Sequence, residues 1–328
     1  MPDLFLHIGT NKTATSAIQS YCSVNRDFLQ TNGIIYPLAG RGENIAHHPI
    51  GALVDGRLGN AYLPKEPFDV LLNSLRREIT GAKSVIISSE ILWCTQIDRA
   101  NELEKLLRLF NSATIIVYFR RQDSYAVSAY NSKIKINNFN FNLFKETPSF
   151  EEYCHKANMD WLKCLHRWQI LANDAKLVVR PYAKIAWRDQ DIISDYFGII
   201  DRHLRLKSVS DKRIIKNESL PIHCLDLLRE LNQFDIKYRG ALIAIIKGLV
   251  PHDDHSGEGL LTKDIQARLL EKYAESNQKL SQYWSPKDNQ AFSDTHVTTF
   301  DKPFSGLSER DYAKLIADIW SSKPMVQG

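Results

Sequence analysis

Short apolar runs rich in β-branched residues alternate, over the first 200 or so residues, with longer stretches in which apolar positions recur about every 3.6 residues. The first run is Leu4–Ile8 (LFLHI), followed by a turn at Gly9–Asn11. A helix is predicted from about Thr13, its apolar positions Ile18, Tyr21, Cys22 and Leu29, with Gly33 as its left-handed stop. Further strands are expected at Ser84–Ser88 (SVIIS), Thr114–Phe119 (TIIVYF) and Lys176–Arg180 (KLVVR). A helix over Ala100–Phe110 puts Leu103, Leu106, Leu107 and Phe110 on one face. Periodicity disappears over 38–68, where Gly and Pro cluster, and an irregular excursion is expected there. The second half turns helical: Pro221 suits a first helical position ahead of His223–Leu231, and Ala241–Leu249, Ile265–Tyr283 and Asp311–Trp320 follow. Segments 250–261 and 284–307 read as loops. The pattern predicts an α/β fold, a central parallel sheet flanked by helices with a helical C-terminal part. It is read as one domain over 1–328, with an α/β core over about 4–220 and helices over about 221–328.

Composition narrows the class without touching the chemistry. Lys plus Arg is 42 and Asp plus Glu 38, a net charge of +4 with no long basic run, so nucleic-acid binding is not expected. Nothing approaches the ~18 consecutive apolar residues of a membrane span. The start, MPDLFLHIGTNKT, has no basic region followed by an apolar run, so no signal peptide is visible and a cytoplasmic protein is expected. Cys22, Cys94, Cys154, Cys164 and Cys224 are scattered and in no CxxC pair, and read as reduced thiols.

A strand, the segment HIGTNKTATS and then an amphipathic helix form an arrangement suited to an anion. Backbone N–H groups at such a turn point at a phosphate and the helix dipole favours negative charge. Lys12 would add a point charge, and Thr13, Thr15 and Ser16 hydroxyl donors. The spacing counts against an NTPase P-loop. It needs four residues between its glycines and a Gly directly before the Lys, whereas only Thr10 and Asn11 separate Gly9 from Lys12. The bland alternative is an ordinary βα turn with a surface lysine. A second anion site is suggested further on: Arg120 ends a strand and Ser128 lies eight residues later, within the next helix. Two anion sites at the ends of parallel strands would suit a ligand with separated phosphates.

These residues resemble the sulfotransferases that use 3′-phosphoadenosine 5′-phosphosulfate (PAPS), in particular their bacterial branch. Its opening motif, His-Ile-Gly-x-x-Lys-Thr-Gly-Thr-Thr, reads here His7-Ile8-Gly9-Thr10-Asn11-Lys12-Thr13-Ala14-Thr15-Ser16. Its second, an Arg followed eight residues on by a Ser, is similar to Arg120 and Ser128. The resemblance continues through Gly33-Ile34-Ile35-Tyr36-Pro37, His47-His48, Ser88-Ser89-Glu90, Arg180-Pro181-Tyr182, Asn217-Glu218-Ser219-Leu220 and Glu275-Ser276-Asn277, covering about residues 4–285. It departs at Ala14, where the family has Gly, and at Ser16, where it has Thr.

The resemblance implies a three-layer fold of the P-loop-NTPase type. It implies that Gly9, Thr10, Asn11, Lys12, Thr13, Ala14, Thr15 and Ser16 hold the 5′-phosphosulfate, Arg120 and Ser128 the 3′-phosphate, and that Tyr182 lies near the adenine. The family moves the sulfuryl group in line from PAPS to a hydroxyl or amine, leaving PAP, without a catalytic metal. Such transfers need positioning and charge stabilisation more than covalent help. Lys12 would neutralise the leaving phosphate oxygen. Two bases compete, Glu90 after the strand SVIISS and His48 in the 38–68 excursion. The acceptor is expected to be a carbohydrate or small metabolite. The alternatives are a PAP-binding interaction protein without activity, motivated by Ala14, and a P-loop kinase. His252-Asp253-Asp254-His255 invites a metal reading, but no third ligand cluster supports it and no metal site is expected. The six tryptophans offer stacking platforms for an acceptor, with packing as their ordinary role.

Overall fold

In the sequence order of the chain, the central strand comes first. β1 (Asp3–Gly9) is buried on both faces from Leu6 onward, as a strand inside a parallel sheet must be. A computed structural model of the chain describes residues 1–41, 45–56, 66–137, 146–206, 219–234, 240–244 and 258–321. After β1 come α1 (Thr15–Val24), α2 (Arg26–Thr31), β2 (Ile34–Ile35), α3 (His48–Asp55), α4 (Phe68–Glu78), β3 (Ser84–Ser88), α5 (Ala100–Leu107) and β4 (Ser112–Phe119). They are followed by α6 (Gln122–Ile136), α7 (Phe150–Lys156), α8 (Trp161–Leu171), β5 (Lys176–Pro181), α9 (Ile192–Ile200) and α10 (Ile222–Leu231). The last elements are β6 (Glu258–Gly259), α11 (Lys263–Lys272), α12 (Ala274–Leu280), α13 (Pro286–Ser293), β7 (Lys302–Pro303) and α14 (Glu309–Ser321).

The chain divides into two interleaved compact units, Met1–Arg121 with Asp160–Lys216 and Glu275–Thr295, and Gln122–Met159 with Asn217–Ala274 and His296–Gly328. The first holds a five-stranded parallel sheet in the order β2-β3-β1-β4-β5, with helices on its faces in an α/β three-layer architecture. Connections leave β1 first toward β2 and then, from β3, across to β4, so the carboxyl end of β1 lies where the winding reverses. Ligands of open α/β sheets bind at that place. Pairing of β1 with β4 shifts between His7 and Gly9, so Ile8 is an extra residue at the strand's end.

One face of the sheet is sealed by Ile18, Tyr21 and Cys22 of α1, Leu29 of α2 and Tyr196 and Phe197 of α9. At the sheet's edge Arg180 makes two bonds to Asp195, from Nε (3.1 Å) and Nη2 (2.8 Å), and a third from Nη1 to Asp288 of α13 (2.6 Å). Tyr118 also donates to Asp195, at 2.8 Å. The second unit gathers α6, α7, α10, α11 and α14 with the two-stranded ribbon β6–β7. There Asp226 accepts from Arg229, the Leu307 amide and Tyr312.

The structure corrects several sequence expectations. The turn after β1 runs on through Ala14 and the helix begins at Thr15, not Thr13. That helix is broken at Asn25, whose side-chain amide bonds back to the Tyr21 carbonyl at 3.0 Å. The 38–68 excursion contains a helix, α3, with Ile50, Ala52 and Val54 buried. Ile265–Tyr283 is interrupted at Tyr273, whose hydroxyl accepts from the Met159 amide and donates to the Ala157 carbonyl. Pro221 precedes its helix as the N-cap. Ala241–Leu249 is helical over 241–244, and its remainder lies outside the described residues.

Candidate functional site

The turn between β1 and α1 is built from unusual backbone. Gly9 has φ 97°, and a Cβ there would stand 3.0 Å from the Cα and Cβ of Glu90, so only glycine lets the two segments meet. Lys12 (φ 65°) and Ala14 (φ 57°) are left-handed, a conformation that costs an L-residue about 1 kcal/mol or more. Thr10 fastens the turn to the next strand through its amide (3.3 Å) and hydroxyl (3.2 Å), both donating to the Tyr118 carbonyl. The Thr13 hydroxyl donates to the Thr10 carbonyl at 2.5 Å. That hydroxyl is therefore engaged in shaping the turn, whereas the sequence reading offered it to a phosphate. Thr15 is buried, and Ser16 is exposed.

Arg120, just beyond β4, donates from Nη1 to the Lys12 carbonyl at 3.3 Å, and its guanidinium lies 5.4 Å from the ring centre of Tyr182. Its own carbonyl accepts from the Trp161 indole at 2.8 Å. Tyr182 leans on Trp187 and its amide is bonded to the Phe119 carbonyl, so the ends of β4 and β5 are held together. Lys12, Arg120 and Tyr182 are thus neighbours. Ser128 lies on α6, in the second unit.

A second cluster stands on the other side of Gly9. Glu90 Oε2 accepts from the Gln19 amide at 2.9 Å, and Glu90 Oε1 is 3.8 Å from His48 Nε2. Both side chains keep some exposure, 20% for Glu90 and 16% for His48. His48 Nδ1 lies 3.1 Å from the hydroxyl of buried Ser89. The two candidate bases, separated by 42 positions in sequence, form one pair.

The pair is held from beneath. The Gln19 amide spends its other proton on Ser88 Oγ (3.2 Å), which is 2.9 Å from His7 Nδ1. Burial pushes the His7 pKa down to about 3, so the ring is neutral. His47, the neighbour of His48, is a different kind of residue. Its Nδ1 accepts from the Ser88 amide, its Nε2 donates to the Pro37 carbonyl, and burial again lowers its pKa to about 3. It is a structural strut. Gly51 of α3 makes room for the arrangement, because a Cβ there would stand 2.6 Å from Ser89 Oγ.

Sequence reasoning missed Gln19. Its signal was present, since Thr15, Ile18, Gln19 and Cys22 share the buried stripe of α1 and a buried amide there needs partners. Trp161 and Trp168 are fully buried and are packing residues. Among the described residues no group of His, Cys, Asp and Glu could hold a metal, and His252–His255 lie outside them. No described helix is long and apolar enough to cross a membrane.

No family model matches the chain, and no curated protein matches it. Among solved structures, a sulfotransferase from Alicyclobacillus acidocaldarius is similar, with 13% identity, a TM-score of 0.43, and coverage of 86% of this chain and 95% of that one.

Proposed function

We propose that the chain is a PAPS-dependent sulfotransferase acting on a carbohydrate or small metabolite. The observation that carries this reading is the adjacency of three groups around one strand end. The Lys12 turn, the Arg120 guanidinium bonded to that turn and the Glu90–His48 pair against Gly9 match an anion, a second anion and a proton acceptor. In this reading the turn and Lys12 hold the 5′-phosphosulfate, Arg120 the 3′-phosphate and Tyr182 flanks the adenine. Ser128 is assigned to the 3′-phosphate from its spacing to Arg120 in sequence alone. The acceptor attacks sulfur in line, its bond to sulfur forms as the sulfur–oxygen bond to the nucleotide breaks, and the electron pair leaves on the phosphate of PAP. Lys12 neutralises that charge, and Glu90 or His48 receives the acceptor's proton.

Calorimetric titration of PAP without magnesium tests the nucleotide. Micromolar binding is expected, weakened by about 1.5–3 kcal/mol in Arg120→Ala as a charged hydrogen-bond partner is lost. A preference for ADP over PAP would overturn the reading. A second reading, a PAP-binding chain that transfers nothing, is favoured by the methyl of Ala14 in the turn. It predicts tight PAP and no PAP release from PAPS with any acceptor.

A further inference from the structure

We propose that the Glu90–His48 corner selects an acceptor hydroxyl over an amine; the inference rests on the sulfuryl-transfer reading above. Ser89 sets the tautomer of His48. Its side chain is fully buried, and among the described residues its hydroxyl meets one side-chain partner, His48 Nδ1, at 3.1 Å. A buried hydroxyl that fails to donate costs about 1–3 kcal/mol, so the proton lies on the bond to Nδ1. His48 is then the tautomer with its proton on Nε2.

Nε2–H therefore faces Glu90 Oε1, a donor opposite an acceptor, at 3.8 Å. That is too long for a direct hydrogen bond, but one atom placed to the side of the line can lie about 2.8 Å from both. Gln19 fixes the partner oxygen, Oε2, and so sets which carboxylate oxygen faces the histidine.

An atom seated there must donate once to Glu90 and accept once from His48. It must still keep an electron pair for sulfur. A hydroxyl oxygen has two lone pairs and one proton and meets all three demands. A neutral amine has a single lone pair, which the His48 proton would occupy. An ammonium has none, and meets a proton on Nε2. In the transfer itself the hydroxyl oxygen bonds to sulfur, its proton passes to Glu90 Oε1, the bond from sulfur to the nucleotide breaks, and that electron pair leaves with PAP.

Two measurements test this. Long-range proton–nitrogen NMR at pH 8 on histidine-labelled protein, with His48 assigned by its loss in His48→Gln, reads the tautomer directly. A protonated Nε2 and bare Nδ1 are expected, with that preference reduced in Ser89→Ala. A protonated Nδ1 overturns the proposal. Sulfur-labelled PAPS supplied with D-glucosamine, which carries both groups on one ring, reads the selection. Nitrous acid cleaves sulfamates and spares sulfate esters, and ester label is expected in roughly tenfold excess or more, the factor for one lost hydrogen bond. Predominant sulfamate overturns the proposal. Failure of PAP to bind would remove the sulfuryl-transfer reading while leaving the tautomer result standing, so the two failures are distinct.

Discussion

Two regions flank Gly9, and they are made differently. On one side the 9–16 turn is mainly backbone, with left-handed residues, an amide and a hydroxyl on the Tyr118 carbonyl, and Arg120 on the Lys12 carbonyl. On the other the corner is side chain on side chain, with Gln19, Glu90, His48 and Ser89 drawn from three elements. The shape of a turn built of backbone tolerates changes of side chain as long as the dihedrals survive. A side-chain corner tolerates almost none, because removing one group strips a partner from the next and a buried polar group left alone is costly.

The largest expected effect separates the two regions by chemistry. Glu90→Gln keeps the shape and removes the proton acceptor, so transfer from PAPS should fall about 10²–10⁴-fold while PAP affinity, read by calorimetry, stays as in the parent. Lys12→Ala should lower both. Equal losses of affinity in the two variants would dissolve the distinction.

Acid should strike beneath the corner. His7 and His47, both buried and both bonded to Ser88, are held neutral in the fold, burial lowering each pKa to about 3, whereas each takes a proton near 6.5 when unfolded. The unfolded chain thus binds more protons below 6.5, and this part of the stability is complete above that pH and drains away as pH falls toward 3. Two such groups remove about 2–3 kcal/mol between pH 7.5 and 5.5, measurable by urea unfolding. A flat profile over that range would show that both rings take up a proton in the fold as readily as when unfolded.

Gly51→Ala presses a methyl on Ser89 Oγ and should cost about 1–3 kcal/mol of stability. It should slow transfer with PAP affinity intact, because the closest clash is with the corner and not with the turn. The smallest effect belongs to the turn. Ala14→Gly relieves a left-handed alanine and should raise stability by about 0.5–1 kcal/mol in thermal unfolding, leaving the corner untouched.

The same contrast decides what was legible in the sequence. The turn is contiguous, so Gly9, Lys12 and the hydroxyls around them could be read as a unit, and β1 and β4 announce themselves as unbroken apolar runs. Arg120 was legible because it closes such a run. The corner depends on α3, an eight-residue helix carrying Pro49 and Gly51, and those two residues read as loop. Pro49 sits in the first turn, where its missing N–H costs nothing, and Gly51 is there for Ser89. β2 escaped notice because two residues, Ile34 and Ile35, are too few to show a period. Gln19 was hidden by its own success, a polar residue inside an apolar stripe with every proton placed.

Arg180 binds one aspartate fifteen residues ahead and another 108 residues ahead. On a ribosome releasing the chain from its N-terminus, the cation and Asp195 emerge almost together and can pair at once. Asp288 comes out only after a long further stretch, much of it destined for the other unit. Until then the guanidinium has a single counter-ion, and the sheet's edge waits on a helix not yet made. A nascent chain stopped at residue 274 would carry all five strands of the main sheet and most of its helical cover, yet hold an unfinished ion cluster at that edge.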